Sequence, residues 1–174
     1  LNKLNFYVDL QYRNVTYKAN SWETGLVNDN FNFFNPKIGL TYTINKQNEL
    51  YFSYARANRE PNRTDYESVN VKPEKLNDFE LGWRFKAEKF QVNSNVYYMA
   101  YKDQLVVTGA LNDVGSALRI NVDDSYRAGV EINATIKLSD KWIVAPNFTL
   151  STNKNLNFIS DDGTGNLVNY GDTN

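Results

Sequence analysis

The chain has 174 residues, a formal net charge of −1, and neither Cys nor His. That balance offers nothing to a nucleic-acid backbone, and the missing residue types exclude disulfides, thiolate metal sites and His-based catalysis from this segment. Mean hydropathy is −0.58, and no apolar run approaches the ~20 residues of a spanning helix. A membrane β-barrel stays open, because alternation hides its lipid face from any average.

Leu4, Phe6, Val8, Leu10 and Tyr12 alternate with Asn5, Tyr7, Asp9, Gln11 and Arg13, which predicts a strand. Because the chain starts almost at once in this strand, it reads as a piece of something longer. Lys18 to Phe34, rich in Asn, Asp and Gly around Trp22, is expected to be a long loop. A first hairpin covers about Asn35 to Ala57. Pro36, Ile38, Leu40, Tyr42 and Ile44 run into a turn at Asn45–Asn48, and Leu50, Phe52 and Tyr54 return. Asn58 to Leu76 is a second expected loop, where Pro61 and Pro73 mark the ends of pairing.

The second hairpin, Asn77 to Asp103, carries the strongest pattern. Phe79, Leu81, Trp83 and Phe85 lie on one face and Asp78, Glu80, Gly82 and Arg84 on the other. After a turn at Lys86–Lys89, Phe90, Val92, Ser94, Val96, Tyr98 and Ala100 continue the apolar face. Gln104 to Ser125 is a third long connection, in which Leu105–Val107 and Leu118–Val122 could extend the flanking strands. A third hairpin, about Tyr126 to Asn153, runs through Ala128, Val130, Ile132, Ala134, Ile136 and Leu138, turns at Ser139–Lys141, and returns through Trp142, Val144, Pro146, Phe148 and Leu150. Lys154 to Asn174 is polar and reads as a fourth loop.

No apolar-face position in the three hairpins is charged, and only Ser94 is plainly polar. Short turns of about three or four residues alternate with connections of roughly 17 to 22, so all short turns fall at one end of the sheet. About ten residues at ~3.3 Å each, tilted ~40°, rise about 25 Å, the height of an outer-membrane apolar band. Phe85, Phe90 and Trp142 sit near the short turns, and Tyr12, Tyr54 and Tyr98 towards the long loops, as an interfacial girdle requires. The prediction is all-β: an antiparallel, up-and-down transmembrane β-barrel segment of about seven strands. A soluble β-sandwich also alternates, with its apolar face turned into a core, but its strands are shorter and its loop lengths mixed.

The string NPKIGLTYTINKQNELYFSYARANREP, Asn35 to Pro61, resembles a middle-to-late barrel hairpin of TonB-dependent outer-membrane receptors. So do Lys72-Pro73-Glu74 followed by Glu80, Leu81 and Gly82, then NVYYMAYKDQL, then Gly129-Val130-Glu131. Their order and spacing cover nearly the whole chain, and the REPNRTDYE entry resembles versions from the Bacteroidetes. The resemblance implies a barrel of about 22 strands, plugged by an N-terminal domain, with this chain as one part of the wall. It also implies import of a scarce ligand, such as a ferric siderophore, haem, cobalamin or a glycan. The TonB complex would energise that import through the plug, and a surface lipoprotein could be a partner. A passive porin-like barrel and a soluble glycan-binding β-sandwich are the alternatives, and no nucleophile constellation suggests an enzyme.

Under that reading Trp22, Arg59, Arg63, Tyr66 and Tyr126 are the ligand-contact candidates, against the plainer role of solvated loop residues and girdle aromatics. Glu80, Arg84, Glu131 and Lys137 are expected to face the lumen, pairing with the plug or simply meeting water. Glu80 and Arg84 stand about 13 Å apart along one strand, so each should partner a neighbouring strand or the plug. Asp123-Asp124 and Asp161-Asp162 lack the spaced oxygen ligands of a calcium loop, so no metal or cofactor is expected.

Overall fold

Alternation over long stretches dictates one sheet with two unlike faces, and the computed structural model has that form, describing residues 3–68, 70–112, 114–161 and 167–173. The strands are β1 (Leu4–Ser21), β2 (Gly25–Thr43), β3 (Asn48–Arg59), β4 (Glu74–Lys86), β5 (Phe90–Leu111), β6 (Ala117–Lys137), β7 (Ile143–Val144), β8 (Asn147–Leu156), β9 (Ile159–Asp161) and β10 (Leu167–Asn169). β1 to β6 pair antiparallel in chain order, and β7 and β8 both lie against β6. These last two are one strand broken at Ala145–Pro146, where proline has no N–H for the ladder. Its carbonyl still accepts a hydrogen bond from the Ala134 N–H at 3.0 Å. Counted so, the sheet has the seven strand positions that the alternation predicts. β9 and β10 form a separate small ribbon.

One expected loop is corrected, and the third connection shrinks to a tip because Leu105–Val107 and Leu118–Val122 do extend the flanking strands, as the sequence allowed. Most of Lys18–Phe34 and of Gln104–Ser125 is strand: β1 and β2 have 18 and 19 residues and β5 and β6 have 22 and 21, each pair paired almost to its tip. Polar composition suggests irregular backbone, but polar side chains can ladder as well. Asn14 Nδ2 donates to Asn30 Oδ1 at 2.9 Å and to Asn32 Oδ1 at 2.8 Å, and Asn30 Nδ2 donates to Thr16 Oγ1 at 2.8 Å. On the other face of that hairpin Phe31 stacks on Phe33. The true tips are short, with Gly25 and Gly115 at φ of 66° and 80°, a region costly for other residues. The fourth expected loop, Lys154–Asn174, contains the end of β8 and the β9–β10 ribbon; Asp162 and Gly163 within it lie outside the described residues. The second, Asn58–Leu76, does hold a loop, from Glu60 to Pro73 around a 3-10 turn at Asp65–Glu67.

The short turns are built as expected. Asn45 Oδ1 accepts from the N–H groups of Gln47 and Asn48 at 2.9 and 3.0 Å, and the Ala87 N–H donates to the Phe90 carbonyl at 2.8 Å. Across the sheet the apolar face meets no second layer of the described chain. Phe6 is 73% exposed and Leu150 66%, with Leu10, Leu81, Val96 and Phe148 similarly bare. Among the described residues the buried hydrophobic ones are Val27, Phe33, Leu105 and Val122, all in the hairpin extensions. Hydrophobic burial inside this chain cannot hold such a sheet together, so its greasy face requires an apolar solvent.

Candidate ligand-binding site

On the polar face, Tyr7, Gly39, Ser53, Glu80, Tyr97, Gly129 and Ser151 form one register row across all seven positions. Tyr7–Gly39 and Tyr97–Gly129 are direct partners in it, and Tyr51–Gly82 is a third such pair one step away. A Cβ at Gly82 or Gly129 would collide with the Tyr51 ring or the Tyr97 hydroxyl. Glycine thus lets each ring lie flat on the wall. Arg84 stacks its guanidinium 4.3 Å above the Tyr51 ring and pairs with Glu49 at 2.7 Å. Ser53 Oγ donates to Glu80 Oε2 at 3.4 Å. Glu80 and Arg84 therefore each find a partner on β3, as their spacing predicts. Glu131 faces the same side, with Asn95 and Thr149 as its register partners. Lys137 lies at the short-turn end, 2.7 Å from Asp140.

At the other end the Glu60–Pro73 loop folds over this polar face and is fixed from both sides. Asp65, fully buried, sits between two guanidinium groups, each 3.6 Å away: Arg59 from β3 and Arg119 from β6. Asn62 and Asp65 exchange hydrogen bonds, the Asn62 N–H donating to Asp65 Oδ2 at 2.9 Å and the Asp65 N–H to Asn62 Oδ1 at 3.0 Å. Arg59 also reaches Glu74 at 3.2 Å. Towards β1 and β2, Tyr66 stacks on Tyr17 with centroids 4.9 Å apart, and its hydroxyl donates to Asp29 at 2.8 Å. Burial, and then the Asp29 carboxylate, push the Tyr66 phenol well above its ordinary pKa, so it stays a neutral donor. Arg13 forks onto Glu60 and lies over Phe33. Towards β5 and β6, Ser68 Oγ donates to the Arg119 carbonyl, and Asn112 Nδ2 donates to Glu67 at 2.7 Å.

Between this loop and the β1–β2 hairpin lies an open cleft of about 750 Å³, lined by Arg13, Tyr17, Lys37, Arg59, Glu60 and Arg63 among others. Arg63 is exposed, 4.0 Å from Glu23 on the neighbouring tip. A backbone hydrogen bond, then Ser21 and Arg63, hold the Glu23 carboxyl below its ordinary value. Of the five sequence candidates, the structure gathers Arg59, Arg63 and Tyr66 around one loop. Trp22 stands 99% exposed at the β1–β2 tip. Tyr126, expected at a loop boundary, lies within β6 on the apolar face, stacked on Tyr98 at 5.8 Å. Sequence reading missed Asp65, Arg13 and Arg119. Asn62 three residues before Asp65 was a legible local turn signal, but its partnership with Arg119 depends on strands far apart in the chain.

A single sheet with one bare apolar face, one polar face bearing inward charges, short turns at one end and long hairpins at the other is the wall of an outer-membrane β-barrel. The TonB dependent receptor-like β-barrel family model matches residues 1–173, and the chain belongs to that family. It is 25% identical over 113 residues to the ferric-pyoverdine 358 receptor of Pseudomonas putida, covering 63% of this chain and 14% of that protein. Solved structures share the fold. The copper transporter OprC matches with a TM-score of 0.76 at 16% identity, over 89% of this chain and 26% of its own. The alcaligin receptor FauA of Bordetella pertussis matches with 0.63 at 19%, over 97% and 29%. This chain thus spans between a seventh and a third of the length of these proteins, and it belongs in the outer membrane of a Gram-negative cell.

Proposed function

We propose that the complete receptor imports a scarce iron complex, most simply a ferric siderophore, by TonB-energised transport, and that this chain contributes part of the barrel wall and of the ligand vestibule. The observation that carries the reading is the Glu60–Pro73 loop, pinned over the polar face by Asp65 and roofing a cleft that offers Arg59, Arg63 and Tyr66. Similar proteins bear ferric-pyoverdine, alcaligin and iron in their names, and copper in one, which makes metal import the favoured cargo over glycan or cobalamin.

In this reading Arg59, Arg63 and Tyr66, with Trp22 at the neighbouring tip, form the ligand-contacting side, and Tyr126 belongs to the aromatic girdle. Glu80 and Glu131 face inward without an ion-pair partner among the described residues and are assigned to cations of the plug. The test is uptake of radiolabelled iron, offered as a ferric siderophore, by cells that carry or lack the full-length receptor. Uptake that requires both the receptor and TonB supports the proposal. An ungated conductance of the purified receptor in a planar bilayer would favour the passive porin instead.

A further inference from the structure

The apolar face ends in an aromatic row and, one register step further, in a cluster of lysines. Counting up β5, Phe90 to Ala100 is ten steps, ~33 Å along the strand and about 25 Å of height at a ~40° tilt. Tyr98 and Tyr126 stack at this level. Lys154 is the register partner of Tyr126 across β6 and β8. One step beyond, Lys75 of β4 is the direct partner of Lys102 of β5, and Lys102 faces Asp124 of β6. By the alternation of all four strands, these side chains share the outward face with Phe79, Tyr98, Ala128 and Leu150.

Two like charges directly opposite on one face of a ladder destabilise it. On the outward face the cluster has one acid, Asp124, which pairs with Lys102 at 3.1 Å; Asp103 and Asp123 beside them in the chain belong to the opposite face by alternation, and among the described residues Lys75 and Lys154 make no ion pair. Three cations against one carboxylate therefore span about 15 Å of wall at the edge of the hydrocarbon. Lysine stems can cover apolar surface while their ammonium groups reach the interface. What lies at that height is the headgroup layer of the outer leaflet, and its phosphates supply the missing charge.

We propose that Lys75, Lys102 and Lys154 form a binding site for the phosphate groups of an outer-leaflet glycolipid. The site is on the opposite side of the wall from the ligand cleft and does not depend on what the receptor imports. Two directly opposed lysines sharing one carboxylate are a defect in a bare sheet and an asset beside a phosphorylated headgroup.

The test uses the purified full-length receptor and native mass spectrometry with bisphosphorylated lipid A, its phosphate-free analogue and inorganic phosphate. The wild type should retain bisphosphorylated lipid A at least tenfold better than the phosphate-free lipid, with retention falling as salt rises. The triple variant K75Q/K102Q/K154Q should lose at least tenfold, and D124N should gain several-fold. Lys141→Gln, at the short-turn end, should change nothing. If the triple variant does not fold, K75Q alone decides, because it should weaken lipid A retention while raising the unfolding midpoint in phosphate-free lipid. Equal retention by triple variant and wild type, equal binding of both lipids, or competition by millimolar inorganic phosphate would overturn the site. Iron uptake by the same variants separates this result from the import reading, since lipid binding can fail while uptake persists.

Discussion

A carboxylate removed from water is tolerable only when its charge is matched, and Asp65 is matched twice, by Arg59 and Arg119. Replacing it with Asn keeps the shape and its bonds to Asn62 but leaves two guanidinium groups without their shared partner. Both arginines are partly exposed, so water recovers some of the loss, and we expect about 2 to 3 kcal/mol, below the full cost of breaking a buried pair. The check is hydrogen exchange of the Asn62–Ser68 amides in the full receptor, which should quicken roughly 30- to 160-fold in D65N. An unchanged rate would mean that the ion pairs do not hold the loop. Tyr66 gives a pH signature. Its folded pKa is raised, so its contribution is whole below about pH 10, the ordinary value, and is lost as pH rises beyond it, the unfolded loop releasing its proton first. Loop protection should therefore fall in alkaline solution for the wild type. Tyr66→Phe, which lacks the hydroxyl bonded to Asp29, should be looser by about 1 kcal/mol at neutral pH and should lack that alkaline step.

The unit of this architecture is the hairpin, and each hairpin makes the same claim about its two faces. Leu81→Arg puts a charge at mid-height of the outward face of β4 and should destabilise the receptor in lipid by about 2 to 4 kcal/mol. Asn95→Lys lies on the inward face, beside Gly82 and Glu131 in the register, and should cost well under 1 kcal/mol; denaturant titration of receptor folded in vesicles compares them. Gly82→Ala tests the other kind of wall contact, since its methyl must displace the Tyr51 ring and with it the stacked Arg84. Much of this layout was legible in the chain. The run Phe79, Leu81, Trp83, Phe85 fixes strand, face and register parity together, because period two has no other outcome. Asn30 and Asn32 point to a loop for a physical reason: asparagine signals turns through bonds to its own backbone, but here both side chains bond across the hairpin, to Asn14, Thr16 and Tyr12. The lock on the Glu60–Pro73 loop was illegible because Asp65 and Arg119 meet only once β3 to β6 are in register.

At the scale of the whole molecule, β1 and β8 leave hydrogen-bonding edges that lipid does not tolerate, so the rest of the wall must cover them. The greasy face is stable only if hydrocarbon, and not protein, lies against it. Because this chain has no cysteine, single reporter sites are easily placed in a receptor whose remaining segments are also free of them. The decisive measurement attaches a small fluorophore to Leu81→Cys or to its neighbour Glu80→Cys in the full-length receptor in vesicles, then compares quenching by brominated lipid chains with quenching by aqueous iodide. Strong quenching by the lipid at position 81 and little at position 80 is the predicted result. Equal quenching at the two positions, or protection of both from lipid, would contradict it.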